Sequence, residues 1–419
     1  MDARIQALVD YTKEKLSLGN YYLYSCDLDR KVTNQNKTVY SLEMEWRPEH
    51  IKAYDEEDEV PEGTASVSIY MDSRKFNSII FVGGKSFLNK PILHVKDKAG
   101  IIDWLEAETG LTYEKDFVFW KEEEDRLSFK RIINGVQISP IECIDIEFDE
   151  DGSLVFFSMY GDFINKLPVK EEIYTLDLHK AEHIAKQQFQ QWDFPLDEQK
   201  QIISLYGLEE IYIRNDLSGT FHMGLTLNSK DIDYVMEWDE PIHKPFTRKP
   251  VEFKREITLE QALACEPHPE TFPLTDGDIQ MCVKEVRSFL QQVYPHDSGN
   301  WRMTNIHRHY DFIDVKLVQT DISKNIFKRK LLIMLDGSSF KAFNYMDNEM
   351  MLDSFPEYKK PREIKISQEK AYEAIKDYLI LKPYYVYDKE KEEYVLCGFL
   401  DCHHYVDGET GKVGLLNDL

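Results

Sequence analysis

YVDGETGKV, residues 405–413, stands near the end of the chain behind Cys402, His403 and His404. Two readings compete for it. A cysteine and two histidines suit the corner of a metal or catalytic site. Asp407-Gly408, set among strand-like residues, suits instead the turn that closes a β-hairpin. The choice decides the kind of protein, because a closing hairpin is the end of a sheet and not a centre of chemistry.

Two other stretches share the same plan. IDIEFDEDGSLVFFSM (144–159) and LLIMLDGSSFKAFNYM (331–346) each place an apolar strand, an Asp-Gly step, a small residue and a second apolar strand in that order. An Asp-Gly hairpin predicts a type I′ turn with positive φ at both central residues. In the first stretch Ile144, Ile146 and Phe148 alternate with Asp145 and Glu147, the period-2 pattern of a half-buried strand. Further strand-like runs are KTVYSLEMEW (37–46), TASVSIYM (64–71), YEKDFVFW (113–120), LEEIYIRN (208–215), DFIDVKLVQT (311–320) and KRKLLIML (328–335). Period-3.6 spacing predicts helices over about 2–17, 97–109, 177–192, 276–293 and 367–380, the last opening on Ser367 as N-cap. A shorter helix opens at Thr258, with Gln261 at capping-box spacing. Few helices among many meandering strands predict an α+β fold of helix-on-antiparallel-sheet modules.

The clearest boundary is DEPIHKPFTRKPVEFKREI (239–257), with three prolines, a local basic cluster and no apolar periodicity. It predicts an N-terminal lobe over 1–240, a linker over 241–257 and a C-terminal lobe over 258–419, with a duplicated unit on each side. DEEDEV (55–60) reads as a solvated loop, and KEEED (121–125) as the tip of a long hairpin.

Composition narrows the partners. The 419 residues are 42% hydrophobic and 13% aromatic, which excludes disorder and allows more than one core. The formal net charge of −25 would repel nucleic acid and anionic membrane. No apolar run is long enough to span a bilayer, and MDARIQALVDYTKEKLSLGN lacks the apolar core of a signal peptide. The six cysteines are scattered without a Cys-x-x-Cys. A cytoplasmic location is the expectation.

Around the opening stretch the order of features resembles the PepSY module. ISQEKAYEAIKDYL (366–379) is followed by strands and then by Tyr405, Val406, Asp407, Gly408, Thr410, Gly411 and Val413, which fit that module's closing segment. Upstream, Asn134, Gly135, Val136, Ile138, Ile146, Phe148, Asp151, Gly152 and Leu154 resemble the strand pair of the PepSY-related YcdB/YcdC-type repeat. LDLHKAEHIAKQQF (176–189) resembles a repeat-opening helix. The resemblance covers about a third of the chain and implies PepSY/cystatin-like α+β modules, the last at 366–413, without catalytic residues of their own. Related modules occur in propeptides of thermolysin-like peptidases, so peptidase inhibition or chaperoning is what it implies about function. PepSY proteins are mostly secreted or membrane-associated, and here the chain departs from the family.

Several groups could carry chemistry. HKAEH places His179, Glu182 and His183 in the His-x-x-Glu-His pattern, two zinc ligands one helical turn apart with a glutamate as base. The insulysin–pitrilysin type adds a distal glutamate, and Glu260 follows His183 after 76 residues. That family's flanking large apolar residues and Gly-Thr are missing. Ala181, Ala185 and Phe189 also mark the core face, leaving residues 179 and 183 on the opposite side. His307 and His309 share a strand face and could meet one ligand. Cys397, Cys402, His403 and His404 complete a second candidate zinc or nickel set, against which buried cysteines and hydrogen-bonded histidines weigh more heavily. GGKS (83–86) lacks the first glycine of a P-loop, since Ile79 stands there. DEDG (149–152) is followed by Phe156 and Phe157 where a calcium loop needs oxygen ligands.

The expectation is therefore a non-enzymatic binding or regulatory protein of PepSY-like type. It would act through sheet edges or a concavity on a peptide or protein partner, with no metal, cofactor, nucleic acid or membrane. The alternative is a zinc peptidase built on His179, Glu182, His183 and Glu260.

Overall fold

A computed structural model of the chain describes residues 1–51, 60–123, 125–163, 168–222, 228–252, 256–320, 329–352, 357–359 and 362–419. Most of the acidic stretch at 55–60, and residue 124 at the KEEED tip, lie outside the described residues. The fold is mixed α+β, dominated by open, mostly antiparallel sheet. It divides into two compact units, each drawn from several stretches: residues 1–172, 256–268 and 384–396 in one, and residues 173–255, 269–383 and 397–419 in the other.

In the first unit, α1 (Ala3–Lys15) leads into β1 (Tyr21–Val32), β2 (Thr38–Pro48), β3 (Ala65–Tyr70) and β4 (Phe76–Phe81). Then α2 (Lys98–Thr109) leads into β5 (Phe117–Glu123), β6 (Arg126–Ile133), the short β7 (Val136–Ser139), β8 (Cys143–Phe148) and β9 (Leu154–Tyr160). The two meanders join through β4 and β9, with Ile79 opposite Phe157, giving the order β1-β2-β3-β4-β9-β8-β6 with β5 also paired to β6. One core takes Ile5, Leu8 and Val9 from α1 and Ile101 and Leu105 from α2, packed on Leu42, Trp46, Val67, Ile146 and Phe157. Alternation along β8 buries Ile144, Ile146 and Phe148, as their spacing requires.

In the second unit, α3 (Leu178–Gln188) leads into β10 (Phe189–Leu196), β11 (Gln201–Leu208), β12 (Ile211–Arg214) and β13 (Thr220–His222), followed by β14 (Lys230–Met236). After the short α4 (Leu259–Leu263), which counts with the first unit, come α5 (Asp276–Val293), β15 (Trp301–His309), β16 (Phe312–Gln319), β17 (Lys330–Asp336), β18 (Ala342–Asp347) and α6 (Glu349–Leu352). The last group is α7 (Gln368–Ile375), β19 (Ile380–Asp388), β20 (Glu393–Asp401), β21 (His404–Asp407) and β22 (Val413–Leu415), of which residues 384–396 of β19 and β20 count with the first unit. One sheet runs β14-β15-β16-β17-β18, and Val286, Phe289 and Leu290 of α5 pack on its Trp301, Met303, Val315 and Ile333. A second sheet runs β10-β11-β21-β22 and shares a core with Ala181 and Ala185 of α3 and Ala371 and Ile375 of α7. Residues 241–252 carry neither helix nor strand, and Phe246 sets its ring 4.9 Å from that of Phe289. Among the described residues α1, α5 and α7 are each followed by four strands, and α2 and α3 by five.

Capping side chains fix the helix starts. Thr258 and Gln261 form both halves of the expected capping box, and Ser367 accepts from the Lys370 N–H. One predicted helix is too long. Instead of reaching 192, α3 stops at Gln188, where Phe189 turns extended (φ −82, ψ 104) and buries its ring, so that FQQWDFPL alternates as a strand.

The Asp-Gly turns also differ from the type I′ expectation. At 336–341 and 407–412 the loops have four residues, and the positive φ falls on Phe340 (59°) and Gly411 (73°), not on Gly337 or Gly408. Asp336 and Asp407 each donate their N–H across the neck, to Lys341 O and Lys412 O, both at 2.9 Å. Their carboxylates cap the loops: Asp336 Oδ1 accepts from Ser339 N–H at 2.7 Å, and Asp407 Oδ1 from Thr410 N–H at 2.7 Å. The glycines serve a different purpose. Gly337 N–H donates to Asp311 O and Gly408 N–H to Ser204 O, each at 2.8 Å. A Cβ would stand 2.3 Å from Asp311 O at position 337, and 2.8 Å from Ser204 O at position 408. Glycine is present because another backbone approaches, not because the chain must turn left-handed. The 149–153 turn is of another kind, with positive φ on Gly152 (80°).

Candidate functional site

The His-x-x-Glu-His helix forms from its sequence but carries no metal geometry. Asp177 caps α3 by accepting from Lys180 N–H, and the buried side is Ala181, Ile184 and Ala185. His179 and His183 are therefore turned to solvent. Glu182 is held by Lys186 one turn on, at 2.8 Å. Glu260 counts with the other unit, is exposed, and its charge acts on Arg4. A His183→Ala variant is expected to keep stability within about 0.5 kcal/mol of the parent and to leave metal content unchanged in protein purified without a histidine tag. Stoichiometric zinc that leaves with this substitution would restore the peptidase reading.

The expected strand pair does bring two histidines together. His307 and His309 project from β15 onto one carboxylate, Asp314 of β16, whose Oδ2 lies 3.6 Å from His307 Nε2 and 3.2 Å from His309 Nδ1. His307 and Asp314 are buried. Burial pushes the His307 imidazole down to about 4, helped by the Lys316 and His309 charges, so His307 is neutral near pH 7. Burial likewise raises Asp314, against the pull of His309. His309 is within hydrogen-bond distance of the carboxylate, whereas His307 approaches it without a hydrogen bond. Cys397, Cys402, His403 and His404 do not join this cluster, because Cys397 lies in β20, His404 in β21 and the other two between them, and both strands belong to other sheets. Cys402 is buried with Sγ 3.7 Å from His404 O, and the His404 ring stacks on Tyr378 at 4.2 Å. Burial raises the Cys402 thiol, which keeps it protonated and unreactive. All six cysteines are free, and no group of three or more metal-ligating side chains converges among the described residues.

A cluster that the sequence did not single out lies inside the first unit. Glu142, just before β8, is fully buried, as are Tyr394 of β20 and, at 3% exposure, Arg131 of β6. Arg131 N–H donates to Glu142 O at 2.9 Å, and Asp162 N–H reaches Glu142 Oε1 at 3.3 Å. Asn34 N–H donates to Asp162 Oδ2 at 2.6 Å. Burial pushes the Glu142 carboxyl up to about 7, against the attraction of Arg131 and with the repulsion of Asp162. Burial also pushes Asp162 up to about 6, against its bond from Asn34. Among 76 acidic residues no local pattern marks Glu142, since burial before β8 depends on which strands surround it.

The third feature is a strand edge. β10 ends the order β10-β11-β21-β22 and pairs with β11 over its whole length, Phe189 opposite Leu208 to Leu196 opposite Gln201. Gln368 Nε2 takes the Phe189 carbonyl, so the open stretch starts at Gln190. Trp192 and Phe194 stand on the outer face beside it, 46% and 38% exposed. At β5, the comparable edge in the first unit, Trp120 is exposed to the same degree, 45%, but Lys130 sets its Nζ 3.5 Å from the ring centroid.

No protein-family model matches the chain, and no curated protein matches it. Among solved structures the Bacillus megaterium YpeB C-terminal domain aligns with 82% of this chain and 96% of its own, at 10% identity and a TM-score of 0.25. So loose a likeness carries no argument about function. No helix among the described residues is long and apolar enough to cross a membrane.

Proposed function

We propose that the protein is a non-enzymatic binding protein of PepSY-like type, built from repeated units of a helix and four or five strands, and that it takes an extended peptide segment along the outer edge of β10. The observation carrying this reading is that edge: among the described residues no strand pairs with the outer side of Gln190 to Leu196, a stretch in which Pro195 alone lacks an N–H, and Trp192 and Phe194 are exposed beside it. Strand addition draws affinity from main-chain hydrogen bonds and specificity from alternate side chains, which requires an open edge with apolar contacts. Sheet proteins ordinarily blunt such edges with lysines, short strands or cover. β10 has eight residues and no lysine, and its one blunting residue, Pro195, stands next to its last position. The repetition is supported by the element order and by the matching turns at Asp336 and Asp407, which share loop length, neck bond, carboxylate cap and close-approach glycine.

Selection of displayed random peptides on the immobilised full chain tests the reading. Enriched peptides are expected to protect the β10 amides from hydrogen exchange. A Trp192→Ala/Phe194→Ala variant is expected to weaken them about tenfold or more, because aromatic anchors dominate such contacts. Enrichment of peptides that bind the double variant equally well would place the site elsewhere and remove the proposal.

A further inference from the structure

Glu142 and Asp162 serve no purpose in peptide capture on β10, and a fully buried carboxyl is costly to keep unless something is gained. Their packing is specific. Gly161, at φ +118°, lies so close that a Cβ there would stand 2.5 Å from Glu142 Cγ and 3.1 Å from its Cα. The chain after β9 is thus pressed onto Glu142, and the Asp162 N–H reaches the same carboxyl at 3.3 Å. Asp162 in turn takes the Asn34 N–H from the turn between β1 and β2.

Groups from every neighbouring element face this pair. From β6 comes Arg131, on which the charge of Asp116, in the turn before β5, also acts. From β20 comes Tyr394, buried with an unpartnered hydroxyl. Tyr70 of β3 and Tyr387 of β19 feel the charge of Asp162, and Tyr70 that of Glu142 as well. Arg131 is the cation whose charge acts on Glu142, set against two carboxyls. With both carboxyls ionised, the fully buried Glu142 carries a negative charge beside that of the partly buried Asp162.

We propose that this cluster is a proton-operated lock: with a proton on the Glu142–Asp162 pair, residues 161–163 stay closed on Glu142 just before β8, and loss of that proton loosens them. The sign follows from the folded-state shifts. Glu142 rises from 4.5 to about 7, and Asp162 from 3.8 to about 6. The folded state therefore holds more protons than the unfolded one between about pH 4 and 7. Stability contributed by the cluster is full below that window and falls as pH rises through it.

Hydrogen exchange of the full chain, corrected for the intrinsic pH dependence of amide exchange, reads the lock locally. Amides in 126–163 are expected to lose protection on the order of a hundredfold between pH 5.5 and pH 8, about thirtyfold from Glu142 and about fourfold from Asp162. In Glu142→Gln the loss is expected to shrink to about fourfold. An unchanged pH dependence in that variant, or protection that rises with pH in the parent, overturns the proposal. Should Glu142→Gln fail to fold, carbon-13 titration of the Glu142 carboxyl in the parent decides the matter. A midpoint below pH 5 ends the idea, and one near 7 supports it.

Discussion

Gly337→Ala is expected to lower stability by roughly 1–3 kcal/mol, the range for forcing extra volume into a filled space. Gly408→Ala is expected to act in the same direction by less. The added methyl at 337 would meet a backbone oxygen at 2.3 Å and its carbon at 2.9 Å, whereas at 408 the closest approach is 2.8 Å. Backbone cannot swing aside as a flexible side chain can. Each turn must lift away, and the 2.8 Å hydrogen bond under it is then lost, at a further cost of about 1 kcal/mol. Asparagine distinguishes this account from a demand for left-handed backbone. Asn adopts positive φ readily, so a type I′ turn would accept it, whereas a crowded backbone contact rejects it as firmly as alanine. Gly277→Ala is the control: it lies in the first turn of α5 with Thr275 Oγ1 3.7 Å away, and replacing a helical glycine is neutral or stabilising by up to about 1 kcal/mol. Urea unfolding followed by fluorescence of the buried Trp301 measures all four. If Gly337→Asn proves as stable as the parent, close approach is the wrong reason for the glycine.

Local features were legible in the sequence, and contacts between distant segments were not. The α5 helix could be read at both ends because its apolar spacing runs unbroken from Ile279 to Val293. The hairpins at 144–159 and 331–346 could be read because alternation and a turn signal agree within one short stretch. The boundary between α3 and β10 was misplaced because Phe189 satisfies both periods, ending the helical stripe and starting the strand alternation. The pairing of β4 with β9, which merges two meanders into one sheet, joins residues about eighty apart. Neither edge announces it. The same limit explains the sites. HKAEH is a contiguous pattern and attracted attention that its exposed position does not support. His307, Asp314 and His309 lie within one hairpin, so sequence placed the two histidines correctly and missed only the carboxylate between them. Glu142, Asp162, Arg131 and Tyr394 come from four separate segments, and only the sheet brings them together.

YVDGETGKV thus gains a residue-by-residue account. Val406 goes to the core, and Asp407 closes the neck and caps the loop with its carboxylate. Thr410 donates both its N–H and its hydroxyl to that carboxylate, while Gly411 supplies the left-handed step. Gly408 clears the carbonyl of Ser204. Five of the seven positions that fit the PepSY pattern here thus have a local physical reason. Cys402, His403 and His404 in front of it form no metal set, because their side chains diverge: Cys402 inward, His404 onto Tyr378, and His403 out towards solvent, 3.5 Å from Asp401.

Removing the cation beside Glu142 is expected to have the largest effect of any single substitution considered. Arg131→Ala should cost roughly 3–5 kcal/mol at pH 8, the range for stripping a buried charge of its partner. The loss should fall to roughly 1–3 kcal/mol at pH 5, where Glu142 is protonated and what is missing is chiefly packing of the arginine stem. The difference arises because Arg131 acts on Glu142 only when Glu142 is ionised, and burial sets that ionisation at about 7. Without Arg131 the carboxyl shifts higher still, so the variant's stability should fall with pH more steeply than the parent's. Pairing the substitution with Glu142→Gln removes both charges, and most of the pH 8 deficit should disappear, because two neutral groups in the same space cost far less than one orphaned charge. Urea unfolding of parent, single and double variants at both pH values separates the contributions as a double-mutant cycle. Equal losses for Arg131→Ala at pH 5 and pH 8 would mean that Arg131 stabilises β6 by packing alone. The cluster would then be a set of neighbours and not an electrostatic unit.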